Sequence, residues 1–212
     1  MNTQNVVQKR VKREWDSFRK EIFSTYIRKK IFEEINIEPK CQVADIGAGN
    51  GFISEELLKR DIKLIAVDNS QIKLDILKVK FNYNKLNKNK VKFLVSSENN
   101  IPIKKNTVNK VFAYMYLHHT YSPFKVIKEM TRILQKDGKI IIADLEKHNM
   151  QFFKNDKHDR WLGFKSTKII KWLQKVNLKN ISIEQINPLG INGSHFSKNP
   201  KKTNIIVATG QK

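Results

Sequence analysis

Thiols are almost absent from this sequence: its 212 residues include one cysteine, Cys41. A single thiol excludes an internal disulfide framework and any multi-cysteine metal centre, so no metal site is expected. Long apolar runs are missing as well. Residues 1–20 are polar and charged, with no apolar h-region, so no signal peptide is expected. No stretch approaches the length of a membrane span, and the expected location is the cytoplasm. There is neither an internal repeat nor a linker rich in Gly, Pro or Ser. The length suits one domain whose core is large enough to fold without staples. The expected organisation is a single unit over 1–212, with an N-terminal helical cap at 1–36 and an α/β core at 41–212.

Negative charge is scarce: 20 acidic residues face 41 basic ones, for a formal net charge of +21. A basic surface attracts phosphates, which points to a nucleic-acid partner. A lysine-biased composition explains the same number. Only seven of the basic residues are Arg, the residue suited to bidentate phosphate and base recognition. The lysines are spread over the whole chain among many Asn and Ile. The compositional reading is preferred, and RNA remains an alternative partner.

What is present is an alternation of short apolar runs and helical patterns. Residues 6–35 read as helical, with Ile22, Phe23, Tyr26, Ile27, Ile31, Phe32 and Ile35 forming one apolar stripe before Pro39 breaks the pattern. Strands are expected at 42–46, 63–67, 91–95, 108–115 and 139–145, and helices at 53–59, 71–83 and 123–135. Asp137-Gly138 reads as a turn. The polar stretch 148–160 reads as a possible helix, and Ser166 as the N-cap of a helix running to Val176. Strands at 181–186 and 203–209 follow, joined by the loop 187–202 with no helix between them. Alternating strands and helices imply a parallel sheet covered on both faces. The expected fold is α/β: a Rossmann-like, seven-stranded, mainly parallel sheet with an antiparallel terminal strand and helices on both faces.

The strongest local signal is Val43-Ala44-Asp45-Ile46-Gly47-Ala48-Gly49-Asn50-Gly51-Phe52. A buried strand ends in a glycine turn that opens a helix. Glycine takes positive φ and lets a ligand approach without a Cβ in the way. Such turns lie at the carboxyl ends of strands, where open α/β sheets bind ligands. A dinucleotide site prefers G-x-G-x-x-G, but the place of its last glycine holds Phe52. Asp45, just before the turn, suits the cationic amino group of a methionine moiety and would repel a pyrophosphate. These features favour S-adenosylmethionine over NAD. Asp68 lies 21 residues after Gly47, at the end of the second strand. It is placed either to accept hydrogen bonds from ribose hydroxyls or to cap the following helix with Asn69 and Ser70.

With these residues in place, the sequence resembles the class I S-adenosylmethionine-dependent methyltransferases, in the group that includes the ubiquinone/menaquinone-biosynthesis and arsenite methyltransferases. VADIGAGNGFIS is similar to the family's first motif, VDNSQIKLDILK to its second, and residues 111–148 to the stretch from the fourth strand through the fifth. The resemblance implies a cofactor pocket of Asp45, Gly47, Ala48, Gly49, Gly51, Phe52, Asp68 and Asn69. Ser96, Ser97 and Glu98 would flank the adenine, and Ala113, Tyr114 and Met115 the methionine chain. Ser96 stands where the family commonly has Asp. The implied activity is in-line methyl transfer from S-adenosylmethionine, leaving S-adenosylhomocysteine. The alternatives are an RNA methyltransferase and a non-catalytic cofactor-binding regulator.

A small-molecule acceptor is expected. Positioning supplies most of the catalysis in such a reaction, and a base matters only if the acceptor must lose a proton. Tyr116, His118, His119, Asp144, His148 and Trp161 are placed to face the acceptor, with His119, His148 and Tyr116 the candidate catalytic groups. Each histidine also reads as a structural one, and Tyr114, Tyr116 and Trp161 as either an aromatic wall or plain core. Trp15 and Phe18 read as part of a closing lid or of a permanently packed helix. Cys41 precedes the first strand, at the end away from the ligand. The thiols that arsenite methylation needs are lacking, so that chemistry is disfavoured.

Overall fold

The computed structural model describes residues 24–33, 35–84, 90–98, 100–149, 159–188 and 203–212. Its elements are α1 (Thr25–Glu33), β1 (Gln42–Ile46), α2 (Phe52–Leu58), β2 (Lys63–Asp68), α3 (Gln71–Tyr83), β3 (Val91–Val95) and β4 (Val108–Tyr114). They continue with a 3-10 turn (Leu117–His119), α4 (Pro123–Ile133), β5 (Leu134–Leu145), α5 (Ser166–Lys175), β6 (Lys179–Ile186) and β7 (Ile205–Gln211). The expected lid residues Trp15 and Phe18, and most of the stretch 148–160, lie outside the described residues.

The seven strands form one sheet in the order β3-β2-β1-β4-β5-β7-β6. The first five pair in parallel, while β7 runs antiparallel to both β5 and β6. The expected fold class is what the chain adopts. The terminal strands do form an antiparallel pair, and β7 inserts between β5 and β6.

Strand residues alternate between two cores, because successive side chains point to opposite faces. Val43, Leu64, Ala66, Phe112 and Ile141 pack with Ile27, Ile31, Leu57 and Leu77 from α1, α2 and α3. Ala44, Ile46, Ile65, Val67, Val111 and Ile140 pack with Val126, Ile127, Met130 and Leu173 from α4 and α5. This two-sided burial is why the strands read as near-continuous apolar runs. The expected stripe on α1 supplies Ile27, Ile31 and Phe32 to the first core, whereas Tyr26 stays exposed. Phe32 stacks on Phe112 with ring centroids 5.7 Å apart, which fixes α1 over β4.

Two boundaries differ from expectation. Ser166 is the first residue of α5 rather than its cap. Lys165 holds the cap position without a side-chain bond, and the Ser166 hydroxyl accepts from Gln185 Nε2 at 3.4 Å. The Asp137-Gly138 turn lies inside a longer β5. Leu134 pairs with Val108 and Lys139 with Lys110, so residues 135–138 bulge opposite Asn109. Asp137 takes φ 62° there.

Candidate functional site: a glycine turn, a strand-end carboxylate and a histidine cluster

The site lies where β1 and β4 diverge, at the topological switch of the sheet. Gly47 and Ala48 both donate to the carbonyl of Val67, at 2.8 and 2.9 Å, and Gly51 N donates to Ala48 O at 2.8 Å. The turn is thus tied to the end of β2. Gly47, Gly49 and Gly51 take φ of 74°, 50° and 83°, the left-handed region that glycine enters at little cost. Space around them differs. A Cβ on Gly51 would come 2.3 Å from Leu77 Cδ1, so the turn sits tightly on α3. On Gly49 it would meet nothing nearer than 3.7 Å, leaving that backbone open to approach.

Asp68 reaches across to this turn. One carboxylate oxygen accepts from Gly49 N at 2.9 Å and the other from Ser70 N at 3.0 Å. The side chain is 5% exposed. The cap of α3 is Ser70, whose hydroxyl accepts from Lys73 N at 3.3 Å. Asp68 is therefore left facing the turn, and each of its oxygens keeps a further lone pair.

Asp45 lies under the turn, 1% exposed, and accepts from the Ser54 hydroxyl at 2.6 Å. Burial pushes its carboxyl up to about 6; the Ser54 bond opposes this and the nearby Asp68 charge adds to it. At neutral pH it adds negative charge beneath the loop rather than a contact above it.

On the other side, Met115 takes φ 49° and its N–H donates to Ala143 O at 2.8 Å. A non-glycine residue in this region marks a sharp turn. It throws Tyr116 over the glycines: a Cβ on Gly47 would fall 2.2 Å from Tyr116 Cδ2. Burial, then the charges of Glu98 and Asp68, push the Tyr116 phenol up, so it stays protonated. Ala113, Tyr114 and Met115 are buried, and Tyr114 stacks on Phe52 with centroids 4.7 Å apart. Asn69 is exposed. After β3, the Ser96 hydroxyl donates to the carbonyls of Ser97 and Asn100, and Glu98 accepts from Tyr121 N at 2.7 Å.

Beyond Tyr116, a cluster forms that the sequence only half revealed. Asp144, at the end of β5, accepts from the backbone N–H groups of Leu117, His118 and Leu145. It also bonds His118 Nδ1 at 2.7 Å. Asp159 stands 3.6 Å from His118 Nε2 and 3.0 Å from His119 Nδ1. Burial works against a charged His118, but Asp144 and then Asp159 outweigh it and raise its pKa. His148 goes the other way: burial, then Lys147 and His118, bring it down to about 4.

Of the three candidate catalytic groups, Tyr116 and His119 thus border the glycine turn and this cluster. His148 is 8% exposed. Asp159 was missed, because an acid in a polar stretch carries no signal until the fold brings it back to β4. The expectation of no metal site came from counting cysteines. Among the described residues, donor atoms of His118, His119 and Asp159 lie within 4.8 Å of one another.

Residues 44–142 match the profile of a methyltransferase domain. A demethylmenaquinone methyltransferase of Renibacterium salmoninarum is 26% identical over 117 residues, 55% of this chain and 46% of that protein. A ubiquinone biosynthesis O-methyltransferase of Pelagibacter ubique is 26% identical over 128 residues, 58% of this chain and 52% of that protein. The matched stretch thus spans about half the length of these curated relatives. Among solved structures, a SAM-dependent methyltransferase from Aquifex aeolicus is similar at a TM-score of 0.67 and 21% identity, covering 95% of this chain and 97% of that one. A Haemonchus contortus phosphoethanolamine N-methyltransferase 2 in complex with S-adenosyl-L-methionine gives 0.73 at 15% identity, covering 91% of this chain and 55% of that one. Sheet order, glycine turn and domain match agree: residues 44–142 resemble a methyltransferase domain, and the chain has the seven-stranded fold of the S-adenosylmethionine-dependent methyltransferases it is similar to.

Proposed function

We propose that this chain transfers the methyl group of S-adenosylmethionine to a small-molecule acceptor. The observation that carries the reading is the Asp68 carboxylate. It is held at the end of β2 by Gly49 N at 2.9 Å and has lone pairs left for a sugar diol. Bound there, S-adenosylmethionine supplies a methyl group already activated by its sulfonium.

The residues fit that group. The open backbone at Gly49 admits a ligand where a Cβ would intrude. Asp68, with Asn69 beside it, would hold the ribose; Ser96, Ser97 and Glu98 would flank the adenine. The backbones of Gly47, Ala48, Gly49 and Gly51 would cradle the methionine end, with Asp45 supplying negative charge from below. Phe52, Ala113, Tyr114 and Met115 would wall that end and exclude water.

Chemistry at the acceptor asks for alignment first. Tyr116, kept protonated, would orient the acceptor through its hydroxyl. His119, with a 41% exposed side chain and Asp159 at Nδ1, is the group that would take a proton if the acceptor must lose one. His148, at about 4, is a weak base at neutral pH and would serve as a neutral wall.

The small-molecule reading draws on the named activities of the relatives, in the ubiquinone/menaquinone-biosynthesis group. The RNA alternative has only the net charge on its side, and a non-catalytic regulator has nothing specific. The test is incubation with radiolabelled S-adenosylmethionine and cell extract, split into small-molecule, RNA and protein fractions. Label in the small-molecule fraction is expected. Label in RNA instead, or binding without label in any fraction, would overturn the reading.

A further inference from the structure

We infer that His118, His119 and Asp159 form a binding site for one divalent transition ion of the zinc class. His118 Nε2, His119 Nδ1 and an Asp159 carboxylate oxygen converge from the turn after β4 and from the start of the 159–165 segment. A tetrahedral ion about 2.0–2.1 Å from each donor sets neighbouring donors roughly 3.3 Å apart. The observed separations to Asp159, 3.0 Å from His119 and 3.6 Å from His118, bracket that spacing. Two imidazoles and one carboxylate suit zinc or its first-row neighbours better than magnesium or calcium.

A second observation points the same way. Imidazole ligands of metals usually donate their other ring N–H to a carboxylate, which fixes tautomer and orientation. His118 does this through Nδ1 to Asp144 at 2.7 Å. Asp144 is itself locked by three backbone N–H groups. That leaves His118 Nε2 aimed at Asp159. The segment carrying Asp159 is fastened as well. Arg160 N and Trp161 N both donate to His118 O at 3.0 Å, and Trp161 Nε1 donates to Thr120 O at 2.9 Å. The donor set is therefore assembled by backbone before any ion arrives.

Three protein donors leave a coordination position for water or another oxygen ligand, reached past the half-exposed His119. As a binding site the cluster stands apart from the methyl-transfer reading. Only its use, holding an acceptor oxygen at the edge of the cleft, rests on that reading.

The experiment is titration of the full chain, stripped with chelator, with zinc chloride by calorimetry and with cobalt(II) chloride by visible absorption. One ion per chain is expected. His119→Ala, at a partly exposed position, and Asp159→Asn should each weaken binding at least tenfold while thermal melting shows both folded. Asp144→Asn, which weakens the orienting bond and part of the backbone bonding that holds it, should weaken it about 10–100-fold while the chain still melts as a folded protein. Absence of a stoichiometric ion, or full affinity retained by either ligand variant, overturns the site. A parallel titration with S-adenosylhomocysteine reports on the methyl-transfer reading alone, so the two can fail separately.

Discussion

The Asp68 carboxylate and the Gly49 amide are joined at 2.9 Å, so the end of β2 is tied to the turn after β1. Replacing Asp68 with Asn keeps an oxygen for Gly49 and removes the charge. A hydrogen bond to a charged group contributes about 1.5–3 kcal/mol. S-adenosylhomocysteine should therefore bind on the order of 10–100-fold more weakly to Asp68→Asn by calorimetry, with a melting temperature lowered only by the lost Ser70 N bond. Undiminished affinity would remove Asp68 from the ribose.

Gly47→Ala meets two obstacles. Its φ of 74° disfavours a side chain, and its Cβ would lie 2.2 Å from the Tyr116 ring. A loss of about 1–3 kcal/mol is expected in urea unfolding. The double variant Gly47→Ala/Tyr116→Ala should recover the steric part and keep the backbone part, giving a coupling energy well above the few tenths seen for independent sites. Additive effects would mean that the ring does not press on this glycine.

Asp45 titrates in the fold near 6, against about 3.9 when unfolded. Its carboxyl is raised, so its contribution to stability is complete below pH ~4 and disappears as pH rises through ~6. Asp45→Asn should therefore gain stability relative to the parent between pH 4 and 7, by on the order of 3 kcal/mol. Urea midpoints of the two chains at pH 4.5 and 7 measure the difference. Parallel pH profiles would show Asp45 to be ionised normally.

Gly163 takes φ 67°, and a Cβ there would fall 2.2 Å from the carbonyl oxygen of Glu146. That oxygen belongs to backbone and cannot swing aside. Phe164 N donates to Leu145 O and Lys147 N to Phe164 O at this crossing. Gly163→Ala should cost about 2–3 kcal/mol in chemical denaturation. A loss below half a kcal/mol would show that this junction yields.

Local signals gave most of the fold. The apolar runs of β1, β2 and β4 were legible because both faces of each strand are buried, and Gly47, Gly49 and Gly51 because only glycine suits their backbone. Asp68 stood out by its place at a strand end, yet its competing role as a cap was resolved only when Ser70 was seen to do that work. The β5 bulge was not legible, since it depends on which residue of β4 faces Asn109's neighbours. Nor was Asp159, whose meaning comes from two backbone bonds to His118 and one from the Trp161 side chain. Asp45 could be read as an acid near the ligand, but not as one lying beneath the loop and bonded to Ser54.

Met115 carries a wider implication. Its φ of 49° is what lays Tyr116 across Gly47. The ring thus lies against the same glycine backbone that the proposed cofactor would use. Trimming the ring would open that backbone and would take away the hydroxyl proposed to orient the acceptor. A tyrosine at this corner therefore joins the two halves of the proposed site through a single side chain.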